Sequence, residues 1–133
     1  MPSDYYDVII CNHVLEQVPN PIETLSIIKS KLNKNGKVVL VIPFEKGRRY
    51  SKFDINDKNY HLYSWNVQTL TYLVSQIGFK CIETKILDYG YDRFIASTIS
   101  KYHLPKLTFN PLFKILNFLR QSKEILLVIE RTS

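Results

Sequence analysis

His13 and His61 are the side chains in this sequence best suited to acid–base chemistry, because imidazole titrates near neutral pH. His13 stands in Asn12-His13-Val14, directly after the apolar run Asp7-Val-Ile-Ile-Cys-Asn12. In an open α/β sheet that is where a ligand sits, at the carboxyl end of a strand. His61 lies at the far end of a polar stretch, residues 44–63, just ahead of a helix. Arg48 in that stretch could grip an anionic group. Tyr63 could stack on a substrate or simply pack, and, further on, Phe94 could line an apolar pocket or lie on a membrane surface. Glu16 reads as an exposed carboxylate in a first helical turn, close to the same cleft. Cys11 and Cys81 lie in apolar strand-like runs with no zinc-type spacing, so they read as buried free thiols, and no metal site is expected.

Elements of known period must position these groups. Residues 7–12 form a continuous apolar run, which suits a parallel strand buried on both faces. Asn20-Pro21-Ile22-Glu23 is a helix start, with Asn20 as N-cap, Pro21 at the first position and Glu23 closing the box. Ile22, Leu25, Ile28 and Leu32 make its apolar stripe. Asn35-Gly36 should end this helix, with Gly36 at positive φ. Lys37 to Ile42 is a second buried strand, stopped by Pro43. A strand, a helix and a strand in this order form a right-handed parallel crossover. Ser64 can cap a helix carrying Val67, Leu70, Val74 and Ile77, ended by Gly78. Residues 80–87 alternate as a strand with one wetter face, and residues 124–130 are a last strand. Between them, residues 88–110 read as irregular, and Pro111 to Leu119 as a short amphipathic helix.

Composition narrows the function classes. The chain has 133 residues, 45% apolar and 23% charged, which suits one soluble globular domain. No apolar run reaches the ~18 residues of a membrane span, and the N-terminus MPSDYYD lacks a signal-peptide pattern, so a cytoplasmic protein is expected. The net charge of +6 reads as spread out, with small clusters at Lys46–Arg49 and from Lys101 to Lys123. Charge of this kind leaves a basic nucleic-acid-binding module as the third choice.

The stretch DVIICNHVLEQVPNPIETLSIIKSKLNKNGKVVLVIPF resembles the second half of a class I S-adenosylmethionine-dependent methyltransferase of the small type 11 or type 23 kind. Leu15-Glu16-Gln17-Val18 stands where that family has Leu-Glu-His-Val, and Lys34-Asn35-Gly36 stands for its Lys-Pro-Gly-Gly turn. YHLYSWNVQTLTYLVSQIGFK is similar to the family's His-Leu-x-x-Phe/Tyr-Ser/Thr stretch and following helix. The likeness covers residues 4–86. The glycine-rich turn and ribose-binding acid of the family's first half have no counterpart here. The four glycines, at 36, 47, 78 and 90, make no Gly-x-Gly.

The resemblance implies a three-layer Rossmann-like α/β domain with a truncated, mixed sheet. Its strands would follow the family order 4-5-7-6, with an aromatic, basic insertion at 88–123. It implies S-adenosylmethionine as cofactor, with Asn12, His13 and Val14 near its methionine or sulfonium end. Binding to this chain alone would be weak or absent. His13 and His61 become candidate acid–base groups, and Arg48, Tyr63 and Phe94 candidate contacts to a small-molecule acceptor. The chain reads as the substrate-side half of such an enzyme. A non-catalytic interaction module is the alternative. Without the family's first strand, residues 5–12 would be an open edge, inviting self-association or completion by another polypeptide.

Overall fold

The computed structural model describes residues 6–44, 61–88, 92–103, 105–120 and 123–132. They fall into two compact units, Met1–Ile86 with Glu124–Ser133, and Leu87–Lys123.

In the first unit, β1 (Tyr6–Asn12) leads into α1 (Pro21–Lys31) and then β2 (Leu32–Phe44). The cap on α1 is the one the sequence implies. Asn20 Oδ1 accepts the Glu23 amide at 3.1 Å, and Asn20 Nδ2 reaches Glu23 Oε2 at 3.3 Å. The end of α1 differs from expectation. The helix stops at Lys31, and Leu32 already belongs to β2. Asn35 takes the positive φ of 63°, as Asn tolerates, and Gly36 does not. Gly36 is needed for space instead, since a Cβ there would meet the Asn33 carbonyl at 2.8 Å. The kink at Asn33–Gly36 appears as a register shift. Tyr6 pairs with Leu32, but Val8 pairs with Lys37.

From Val8 to Asn12 the β1–β2 ladder is regular and parallel. Next come α2 (Val67–Gln76) and β3 (Phe79–Asp88). Asn66, two residues beyond the expected Ser64, caps α2. Its side chain takes the Thr69 amide at 2.9 Å, and Thr69 Oγ1 takes the Asn66 amide. A reciprocal pair satisfies two orphan donors, which one Ser hydroxyl would not. Gly78 follows at φ 82°. The last strand is β4 (Lys123–Arg131).

The sheet order is β1-β2-β4-β3. Contacts at both ends fix the directions. Glu124, at the start of β4, lies by His13 at the end of β1. Arg131, near the end of β4, donates to the Leu32 carbonyl at the start of β2. So β4 runs against β2. The Thr132 amide bonds the Gly78 carbonyl just ahead of β3, so β3 also runs against β4. This is the mixed α/β sheet and strand order expected.

One face of the sheet is a continuous core. Cys11, Val38, Leu40, Ile42, Ile125, Leu127, Ile129 and Phe79 alternate onto it beneath Leu25 of α1 and Leu70 and Val74 of α2. Lys29 ties the two helices, its Nζ reaching the Ile77 carbonyl at 2.8 Å. The other face is far wetter than its apolar composition suggests. Val8 is 55% and Ile10 70% exposed, and Ile82 and Ile86 are also exposed. The reading of β1 as buried on both faces is therefore corrected. No described strand pairs with its outer side, and no described element covers Val8 and Ile10. On β3 the wetter face expected is matched by exposure on both faces from Ile82 to Ile86, and only Phe79 and Cys81 at its start pack on the core.

The second unit holds α3 (Asp92–Lys101), a 3-10 turn (Lys106–Thr108) and α4 (Phe109–Arg120). Much of the stretch expected to be irregular is thus helical. Its β-branched and aromatic residues hid a helical spacing in which Ile95, Thr98 and Ile99 share one side. Pro111 sits in the first turn of α4, where its missing amide costs little.

Candidate functional site

Sequence order brings the candidate site to the carboxyl ends of β1 and β2. The ladder runs one residue past Asn12, with the His13 amide bonding the Val41 carbonyl at 2.8 Å. His13 then takes φ 52°, a left-handed conformation that costs a non-glycine residue ~1–2 kcal/mol. Strain of this kind persists where the surroundings hold it. Here the imidazole lies between two carboxylates. Nε2 is 3.5 Å from Glu124 Oε2, and Nδ1 is 3.9 Å from Glu16 Oε1. Asn12 and Val14, on either side, are exposed.

Glu16 differs most from expectation. α1 starts at Pro21, so Glu16 lies in the preceding loop rather than in a first helical turn. It is 1% exposed. Its main-chain carbonyl accepts the amides of Leu62 at 2.7 Å and Tyr63 at 3.2 Å. Both side-chain oxygens are buried with no hydrogen-bond partner among the described residues. A buried carboxyl in this state is costly to the fold. Its effect is felt at Cys11, whose thiol is pushed above its ordinary 9.0 by burial and then by the charge of Glu16.

The unfolded thiol therefore ionises before the folded one. The stabilisation from Cys11 is complete below pH 9.0 and lost as pH rises through the folded value. A Cys11→Val variant should lack that part of the alkaline fall. Superimposable pH–stability profiles for the two proteins, from denaturant titrations, would contradict this.

The segment that begins with His61 docks on the same loop. Besides the two amides on Glu16, Tyr63 donates its hydroxyl to the Pro19 carbonyl at 2.9 Å. Its ring stacks on Trp65 with centroids 5.6 Å apart. Trp65 in turn bridges Phe44 at the end of β2. His61 and Tyr63 thus reach the same end of the sheet as Asn12, His13 and Val14. Arg48 lies outside the described residues. Phe94 belongs to α3, and its side chain lies outside them too. Sequence reasoning missed Glu124. The signal was available, since a last strand running against β2 must begin at the end where β1 finishes. No group of three potential metal ligands occurs among the described residues.

A dinucleotide-like cofactor asks for a glycine cradle at this end. The two described glycines, Gly36 and Gly78, sit at the opposite end, where β2 and β3 begin.

Residues 1–84 match a family described as Methyltransferase domain. No curated protein matches the sequence significantly. Among solved structures, the [4+2]-cyclase SpnF is 12% identical with a TM-score of 0.63, over 98% of this chain and 52% of that one. Phosphoethanolamine N-methyltransferase 2 from Haemonchus contortus, in complex with phosphomonomethylethanolamine and S-adenosylhomocysteine, is 13% identical with a TM-score of 0.63. That match covers 99% of this chain and 34% of the other. The YcgJ protein from Bacillus subtilis is 16% identical with a TM-score of 0.57, over 100% and 67%. This chain therefore spans about half or less of the first two. Likeness at this identity shows the fold, and a cyclase among the matches shows that the fold serves more than one reaction.

Proposed function

This chain belongs to the Methyltransferase domain family that its residues 1–84 match, and on that footing we propose that it is the substrate-side half of an S-adenosylmethionine-dependent enzyme methylating a small molecule. By itself it has little or no activity. The observation that supports this most is the strained His13, held between Glu16 and Glu124 where an open α/β sheet takes its ligand. Asn12, His13 and Val14 form the wall that faces the cofactor. The cofactor supplies a methyl group already activated on sulfur. The chain's own residues have the lighter task of alignment and, for a protic acceptor, of taking a proton. His13 is the first candidate for that proton and His61 the second. Among the described side chains, Tyr63 is the candidate contact to the acceptor. A cytoplasmic setting suits the two free cysteines.

Titration of the isolated chain with S-adenosylhomocysteine tests the division of labour. No binding in the low micromolar range is expected, because the family's glycine turn and ribose acid have no counterpart in this sequence. A low-micromolar dissociation constant would refute the reading as a half-site. In a complete enzyme, His13→Ala and His61→Ala should each lower kcat by ~10²–10⁴-fold and leave cofactor affinity nearly unchanged. The reverse pattern would make them cofactor contacts.

A second reading, a non-catalytic module completed by another polypeptide or by a second copy, is favoured by one specific observation. The apolar face at Val8 and Ile10 is bare, and β1 is an open edge.

A further inference from the structure

The excess positive charge is not spread along the chain. Residues 93–123 hold six of the 18 lysines and arginines and none of the 12 acidic residues, so the rest of the chain is neutral and the whole net charge of +6 lies in this stretch. It makes up most of the second compact unit, Leu87–Lys123, whose first residues add Asp88, paired with Lys123, and Asp92, so that six cations against two acids leave the unit at +4. We infer that this helical unit docks on the surface of an anionic lipid bilayer.

The side chains are arranged for such a surface. Ile95 is buried, and the rings of Phe109 and Phe113 stack one turn apart at 6.0 Å. Other apolar groups face water. Leu107, in the turn ahead of α4, is 90% exposed, Ile115 on α4 is 55% exposed, and Tyr102 at the end of α3 is exposed as well. Cations stand directly beside them. Lys101 and Lys114 are exposed, and Lys101 Nζ lies 5.5 Å from the centre of the Tyr102 ring. Single exposed hydrophobic residues are ordinary on any protein. Their pairing with lysines, in a stretch of 31 residues without one acid, is not. An amphipathic, basic helix with aliphatic and aromatic residues on its apolar side is the form that lies in a membrane interface. Nucleic acid would satisfy the lysines but offers no apolar environment for Leu107 and Ile115. No described helix is long and apolar enough to cross a membrane, so the contact is with the surface.

Flotation of the full chain with vesicles is the test. The chain should float with vesicles of phosphatidylcholine and phosphatidylserine at low salt, and not with phosphatidylcholine alone. Aggregated protein does not float, so self-association cannot mimic the result. Lys101→Gln with Lys114→Gln should lower partitioning about 25-fold, about fivefold per charge. Leu107→Ser with Ile115→Ser should lower it about tenfold or more at fixed salt. All four residues are exposed, so the fold, checked by circular dichroism, should survive. Three results would each overturn the inference. The chain fails to float with anionic vesicles; the Leu107 and Ile115 variant floats as well as the parent; or a duplex oligonucleotide outcompetes the vesicles for the parent chain. None of these arms depends on cofactor binding or methyl transfer.

Discussion

Glu16→Leu should make the protein more stable, by about 1–3 kcal/mol. The wild-type carboxyl is almost fully buried, and neither oxygen has a hydrogen-bond partner among the described residues. Leucine is one bond shorter but branched, fills a comparable volume and carries no polar atom to leave unpaired. The contacts that fasten this loop to residues 62 and 63 run through the main-chain carbonyl of residue 16 and would be kept. Cys11 would also lose the second cause of its raised thiol. In a complete enzyme the same change should lower turnover, because a polar group kept in the core at a cost is one that the site uses. The comparison is a pair of denaturant titrations at neutral pH, followed by kinetics of the two enzymes. A variant less stable than the parent would show that the carboxyl is a structural anchor.

Self-association through β1 should be the strongest solution property of the isolated chain. No described strand pairs with the outer side of this strand, and Val8 and Ile10 on it are largely in water. No lysine or proline lies between Tyr6 and Asn12 to blunt the edge. Static light scattering at micromolar concentration should therefore find dimers or larger species. Val8→Lys with Ile10→Lys should shift the population to monomer, by a factor of ten or more in the association constant, on the order of 1.4 kcal/mol. Both side chains are exposed, so the variant costs the fold little. A clean wild-type monomer, with the amides of Val8 to Cys11 protected from exchange, would mean that the edge is already covered.

Most of the scaffold was legible because it obeys simple periods. The Asn20–Glu23 cap, the inward stripe of α2 and the alternating core of β4 follow from residue type and spacing alone. The misses have physical causes. Gly36 was assigned to the positive-φ position by propensity, but Asn35 can take it, and Gly36 answers a close approach of main chain that only three-dimensional structure reveals. The burial of Glu16 has no local signature, because it goes with residues 62 and 63 docking on its main-chain carbonyl from far along the chain. His13 was legible as a strand-end residue, but its two carboxylate neighbours come from a loop conformation and from the course of β4, and neither has a local signature. The helix α3 was obscured by residues whose intrinsic preference is for strands.

The order β1-β2-β4-β3 also bears on how the chain folds as it is made. β4 comes last in sequence among the described strands, yet it lies between β2 and β3. Until it emerges from the ribosome, the crossover β1–α1–β2 and the pair α2–β3 have no sheet joining them. Ile125, Leu127 and Ile129, all fully buried, are then missing from the core. Insertion of β4 must close a loop that includes the whole of α3 and α4, and non-local closure of this kind is slow. Through that interval the core side chains of β2 and the inner edges of β2 and β3 are unprotected, the condition in which nascent chains misassemble or engage chaperones. Pairing of β4 with both β2 and β3 therefore has to await its synthesis, and only then are the two parts joined in one sheet.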